Sequence, residues 1–172
     1  NNTAVGYSSL SANTTGELNV ALGRSSLSKN TTAGGNVGVG GYALNNNTTG
    51  AANIGIGQQA LNTNTTASSN TAVGFQSLYA NTASNNTAVG SYALNNHSGG
   101  NNTAVGKDAM KAAGTGGDNA AYGYRAMEAL TTGNSNVALG PGTLRTMTVG
   151  DRNTALGYET LRTANVSSNA DT

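Results

Sequence analysis

The stretch Asn70-Thr71-Ala72-Val73-Gly74-Phe75-Gln76-Ser77-Leu78 returns sixteen residues later as Asn86-Thr87-Ala88-Val89-Gly90-Ser91-Tyr92-Ala93-Leu94. Working outward in both directions, the same opening recurs from Asn2, Asn19, Asn36, Asn53, Asn102, Asn119, Asn136 and Asn153. The ten starts are spaced by 17 residues, except for two steps of 16 after Asn70 and Asn86. A unit this short cannot hold a helical hairpin, but it has room for two short strands and two turns. In-register repetition of such units is the signature of a solenoid, with each unit stacking on the next. The sequence therefore predicts an all-β fold, a parallel β-solenoid (β-roll or β-helix) of ten coils of 16–17 residues. The repeat domain spans residues 1–162, and residues 163–172 form a C-terminal tail, cap or linker.

Numbering the leading Asn as position zero turns the repeat into columns. Position zero, a structural ladder, holds Asn2, Asn19, Asn36, Asn53, Asn70, Asn86, Asn102, Asn119, Asn136 and Asn153. Identical Asn side chains stacked at strand spacing can hydrogen-bond to one another. Position four is glycine throughout: Gly6, Gly23, Gly40, Gly57, Gly74, Gly90, Gly106, Gly123, Gly140 and Gly157. Such a column marks a turn with positive φ or with no room for a Cβ. Position eight is always Leu or Met. Positions one and three are mostly β-branched or aliphatic, as suits a strand.

Position two carries only Ala4, Ala21, Gly38, Gly55, Ala72, Ala88, Ala104, Ala121, Ala138 and Ala155. Alternation puts these on the face opposite to positions one and three. A solvent-facing strand has no reason to exclude large polar residues ten times out of ten. The small face must meet either the opposite wall of its own coil or another chain. Contact with another chain is the expectation, which makes this column the candidate chain–chain face.

Composition narrows the functional classes. Of 172 residues, 9% are charged, against about 25% in an ordinary domain. The net charge is +1, too small to steer nucleic acid, and residues 30–106 contain no Lys, Arg, Asp or Glu. No apolar run reaches the ~18 residues of a membrane span, and nothing reads as a signal peptide. The chain opens inside a unit, at Asn1-Asn2, which reads as a piece of something longer. There is no cysteine, so disulfides and thiolate chemistry are excluded. The one histidine, His97, falls in a run of Asn, Ser and Gly and is expected as a surface turn residue. Asp108, Asp118 and Glu128 lie in neighbouring coils but form no calcium-loop pattern. No catalytic, cofactor-binding or metal site is expected, and the glycine strings lack the flanking residues of phosphate loops. The Asn-x-Thr sequons at Asn13, Asn30, Asn47 and Asn64 are explained by turn chemistry.

The aromatics are concentrated. Tyr7, Phe75, Tyr124 and Tyr158 sit at position five, and Tyr42 and Tyr92 at position six. A tyrosine offers an apolar face and a polar tip, suited to stacking on a sugar or to sealing a seam between chains. The turns at positions eleven to sixteen vary most, and those after Lys107 carry most of the charge, which makes that half the better candidate for contact.

The composite Asn-Thr-Ala-Val-Gly-Tyr/Phe-x-Ser/Ala-Leu-x-x-Asn-Thr-Thr-Gly resembles the repeats of many bacteriophage tail-fibre proteins, over residues 2–161. More distantly it is similar to the head repeats of trimeric autotransporter adhesins, whose strand reads Ser-Val-Ala-Ile-Gly. The nearest equivalents are Asn19-Val20-Ala21-Leu22-Gly23, Asn53-Ile54-Gly55-Ile56-Gly57 and Asn136-Val137-Ala138-Leu139-Gly140. The resemblance implies a left-handed coil, a homotrimer and an extracellular site, on a virion tail fibre or a cell surface. It implies adhesion, often to glycans. The adhesin heads repeat at a shorter period, so their loop geometry does not carry over, and none of their binding residues maps onto this chain.

These readings converge on a non-enzymatic structural and adhesive segment of an extracellular fibre, with a cell-surface glycan or other receptor as partner, no nucleic acid and no membrane insertion. Two alternatives remain open. One is a self-assembling surface filament or matrix protein. The other is an ice-binding solenoid, favoured by Thr3, Thr71, Thr87, Thr103 and Thr154 at position one and weakened by the Val and Ile that interrupt them.

Overall fold

A computed structural model describes residues 1–112 and 114–163. Positions one to three of every unit form a three-residue strand. They are β1 (Thr3–Val5), β2 (Val20–Leu22), β3 (Val37–Val39), β4 (Ile54–Ile56) and β5 (Thr71–Val73). There follow β6 (Thr87–Val89), β7 (Thr103–Val105), β8 (Ala120–Tyr122), β9 (Val137–Leu139) and β10 (Thr154–Leu156). They pair in sequence order as one ten-stranded parallel sheet, and no helix occurs among the described residues. Register is strict, with Ala4 beside Ala21, Gly38 beside Gly55 and Ala72 beside Ala88. The 16-residue units keep this register, so the missing residue is absorbed in the turns. The chain is a parallel β-solenoid whose sheet, at about 4.8 Å per coil, runs roughly 45 Å. Of the tail expected at 163–172, only Thr163 is among the described residues.

The expectation of two strands per coil is corrected to one. The second wall, positions six to ten, does hydrogen-bond from coil to coil, as in Leu27 N–H to the Ala43 carbonyl (3.0 Å) and Leu44 N–H to the Ala60 carbonyl (2.9 Å). Its backbone is not extended, however. Positions six and eight are left-handed in coil after coil: Tyr42 and Leu44 have φ of 60° and 51°, Gln59 and Leu61 of 60° and 53°. Each such residue costs about 1–2 kcal/mol in isolation. Here the cost is offset because the turn aims position eight inward, where Leu27, Leu44, Leu61, Leu78, Leu94, Met110, Met127 and Leu144 are fully buried.

That leucine column decides which face of the strand is inside. A Cβ added at Gly55 would lie 3.2 Å from Leu44 Cγ, and one at Gly38 only 2.5 Å from Ser26 Oγ. The gap between the walls accepts at most a methyl group. The Ala/Gly column (Ala4, Ala21, Gly38, Gly55, Ala72, Ala88, Ala104, Ala121, Ala138 and Ala155) therefore faces the chain's own core. From Ala21 to Ala155 it is buried within a single chain. The expectation that it contacts another chain is corrected, because its small size is set by the opposite wall.

The position-four glycines close the strand. Their φ values run from 122° to 137°, outside the range of residues with a Cβ. A Cβ at Gly90 would also stand 2.6 Å from the carbonyl carbon of Gly106 in the next coil.

Candidate binding surfaces

Once the small column is inside, positions one and three are outside. Val20, Ile54 and Val137 at position one, with Val5, Leu22, Ile56, Val89, Tyr122, Leu139 and Leu156 at position three, are exposed large hydrophobic residues. No charged residue occupies either position in any coil. The outer sheet face is thus an uncharged, mainly aliphatic strip along the rod. Contiguous apolar surface of this extent usually marks an interaction site.

The aromatics beyond the strand do not act as one set. Phe75 and Tyr92 pack edge to face, with ring centres 5.3 Å apart, and Lys111 Nζ lies 4.8 Å from the Tyr92 ring centre. Tyr42 is covered by the Arg24 guanidinium at 5.5 Å. Tyr7 and Tyr158 are each 76% exposed. Tyr124 carries the Arg125 guanidinium at 5.0 Å from its ring centre. Tyr124 and Tyr158 flank a shallow cleft of about 90 Å³, which Pro141, Gly142, Arg145 and Glu159 also line. The sequence contained the signal for this cleft, since Pro141, followed by Gly142 at position six, takes the position five held by Tyr124 one coil before and Tyr158 one coil after.

The carboxylates considered for a cation site are spread apart and mostly held by bases. Asp108 is buried, with Lys107 Nζ at 3.9 Å and Lys111 Nζ at 3.1 Å. Glu128 takes a hydrogen bond from Arg145 Nε (2.8 Å) and lies 3.5 Å from Arg125 Nε. That hydrogen bond holds the Arg145 guanidinium above its ordinary range. Asp118 is exposed. Among the described residues no group of three His, Asp or Glu side chains is placed to hold a metal ion.

Two columns behave differently from expectation. At position zero, the Asn side chains mainly bind backbone. Asn36 Oδ1 accepts the Asn53 backbone N–H at 2.9 Å, and Asn36 Nδ2 donates to the Gly50 carbonyl at 2.9 Å. Direct side-chain contacts appear only late, as in Asn136 Nδ2 to Asn119 Oδ1 at 3.0 Å. The side-chain ladder of the first coils is at position eleven instead. Asn30 donates to Asn13 (2.9 Å), Asn47 to Asn30 (2.9 Å), Asn64 to Asn47 (2.8 Å) and Asn81 to Asn64 (3.4 Å). Asn30, Asn47 and Asn64, the sequon asparagines of coils two to four, are fully buried in it.

His97 takes the next place in that column, and its expected surface position is corrected: it is fully buried. Nε2 donates to the Gly116 carbonyl at 2.7 Å, which leaves Nδ1 facing Gly114 without a partner. Burial pushes the imidazole below its ordinary value, and the Gly116 contact only partly restores it. The repeat alignment held the clue, since His97 stands where Asn81 stands one coil earlier.

The fold thus defines a class, the parallel β-solenoids, without naming a family. No protein-family model, no curated protein and no solved structure matches this chain.

Proposed function

We propose that this chain is a non-enzymatic segment of an extracellular fibre, on a phage tail fibre or a cell surface, that acts in adhesion as a homotrimer. The observation that carries the reading is the uncharged aliphatic strip running the length of the outer sheet. A second copy has the same coil pitch, so its side chains seat between coils along the whole strip, and a neutral face meets a neutral face without desolvating charge. Positions one and three, not position two, form the seam between chains. The coil turns then point outward in repeated array, and weak contacts to a surface receptor or glycan add through avidity.

Sedimentation or native mass spectrometry tests the assembly. The expected mass is about 51 kDa, three times 17.0 kDa. Ile54→Lys with Ile56→Glu on the strip should return a folded monomer. A wild-type monomer at all concentrations overturns the trimer, and a mass that climbs with concentration favours a self-assembling filament. Binding to glycan panels and to whole cells tests adhesion, and background signal in both leaves only a spacer.

One observation favours an ice-binding reading: Thr71, Thr87 and Thr103 stand side by side on the outer sheet. Thermal hysteresis equal to that of buffer removes it.

A further inference from the structure

The six aromatics at positions five and six fall into two arrangements. Phe75, Tyr92 and Tyr42 are packed within the chain, by ring-on-ring contact in Phe75–Tyr92 and by a guanidinium in Arg24–Tyr42, while Tyr7 at the first coil is 76% exposed. In the second half Tyr124 and Tyr158 are separated by a coil whose own positions five and six are Pro141 and Gly142. Removing bulk from that coil leaves a slot where the other coils have packing.

The dimensions of the slot suit one ring. Residues at the same register two coils apart are separated by about 9.6 Å of backbone. A ring in contact with an aromatic side chain on each side needs about 7–8 Å. Tyr158 and Tyr124, 76% and 46% exposed, have room to lean inward and close that difference. Pro141 supplies an apolar floor with no backbone N–H to leave unpaired. Gly142 keeps the floor low: a Cβ there would lie 3.1 Å from Glu159 Cγ, and its φ of 68° suits the left-handed turn.

The rim supplies the polar chemistry. Arg125 and Arg145 share a single carboxylate, Glu128, while Glu159 is bound by Arg162 Nη1 at 3.1 Å. Three arginines against two glutamates leave one positive charge beside the slot. Only the Nε of Arg145 is used by Glu128, so its terminal N–H groups remain to donate, and a guanidinium fork matches a carboxylate. A flat apolar ring face, hydroxyls around its edge and one carboxylate together describe an acidic pyranose.

The geometry points to the Tyr124–Pro141–Tyr158 cleft as a binding site for one uronate ring of an acidic polysaccharide, stacked between the two tyrosines with its carboxylate on Arg145. This deepens the adhesive reading and rests on it for its biological meaning, but not for its test.

Titration calorimetry with a glucuronate tetrasaccharide and its neutral glucose counterpart provides that test on the intact chain. The expected result is measurable binding of the glucuronate probe, weaker by about ten-fold for the neutral one. Tyr158→Ala should weaken binding by about ten-fold, as loss of a stacked ring requires. Pro141→Phe should do the same by filling the slot, and position five already accepts Phe75, so the fold is retained. Arg145→Gln should remove the preference for the acidic probe, whereas Arg24→Gln, the same charge lost outside the cleft, should not. No heat with the glucuronate probe, or equal losses for Arg24→Gln and Arg145→Gln, overturns the assignment. If the chain adheres to cells but gives no heat with the glucuronate probe, the cleft assignment fails while the adhesive reading stands. If the cleft binds the probe but the chain adheres to no surface, the adhesive reading fails and the cleft stands.

Discussion

In the first five coils the inner corner at position eleven is filled by Asn13, Asn30, Asn47, Asn64 and Asn81; further along, the same corner holds Leu130 and Met147, fully buried. The backbone around the two fillings is the same. Thr31 N–H meets the Thr48 carbonyl at 3.1 Å, and Thr131 N–H meets the Thr148 carbonyl at 2.8 Å. A buried asparagine is acceptable here because its oxygen takes a neighbour's amide, while its own amide reaches a neighbour's oxygen and a carbonyl three residues on. A leucine in the same space needs none of that. The polar column works only as a continuous series, and the apolar one works coil by coil. The surface divides in the same way: no charge lies between Lys29 and Lys107, and the ion pairs of Asp108, Glu128 and Glu159 follow.

The largest expected effect tests whether the difference is confined to that corner. Gly57→Ala and Gly123→Ala, one in each half, should each destabilise by roughly 3 kcal/mol or more, from strained φ and a clash with the next coil. The two losses should agree in thermal melts followed by circular dichroism. Tolerance in one half alone would mean that the backbones differ as well.

A reciprocal exchange sharpens the comparison. Asn47→Leu strands the Asn30 oxygen and takes one of two partners from the Asn64 amide and the Gly50 carbonyl, at a cost of about 1–3 kcal/mol. Leu130→Asn buries an amide where the corner is apolar and should cost a similar amount. Hydrogen exchange should locate each loss in the mutated coil and its neighbours. A neutral Asn47→Leu would show that the ladder is dispensable.

His97 stands at the junction. Because its folded value is depressed, the unfolded chain binds the proton more readily, and stability falls as pH drops below the ordinary value of 6.5. Above that pH both states are neutral and the effect vanishes. His97→Asn extends the polar column and should flatten this dependence in denaturant melts at pH 5 and 7.5. An unchanged pH profile in the variant would assign it elsewhere.

The smallest effect is a gain. Leu18 and Ser135, one in each half, hold exposed left-handed turns with φ of 59° and 57°, at a register where Asn85 and Asn101 already stand. Leu18→Asn and Ser135→Asn should each stabilise by about 0.5 kcal/mol, seen as equal small rises in melting temperature. A loss in either variant would show that the side chain replaced had a role.

The repeat made most of the fold legible. Gly6 to Gly157, the Leu/Met column and the strand at positions one to three all follow from spacing and residue type. Alternation separated Ala72 from Thr71 and Val73 but could not say which face was inside. Both faces are uncharged, and only the distance from Gly55 to Leu44 settles it. The second strand was misjudged because left-handed Leu44 and Leu61 contradict every local preference, and tertiary packing overrides it. The buried corner was hidden because Asn-Thr-Thr reads as a turn whether its asparagine points out or in. The aromatics were visible as a group, but the separation of Tyr124 and Tyr158 from the Phe75–Tyr92 pair depends on side-chain contacts between coils.

The position-eleven column also sets how the rod responds to load. Tension applied along the axis passes through every coil junction in series, so extension starts at the weakest link. That link lies near the middle, where the units shorten to 16 residues, the Asn81–Asn64 contact stretches to 3.4 Å and the polar column gives way at His97. Below the yield force the solenoid is a stiff spacer. Above it, each coil released adds roughly 55 Å of slack while the coils on either side keep their shape.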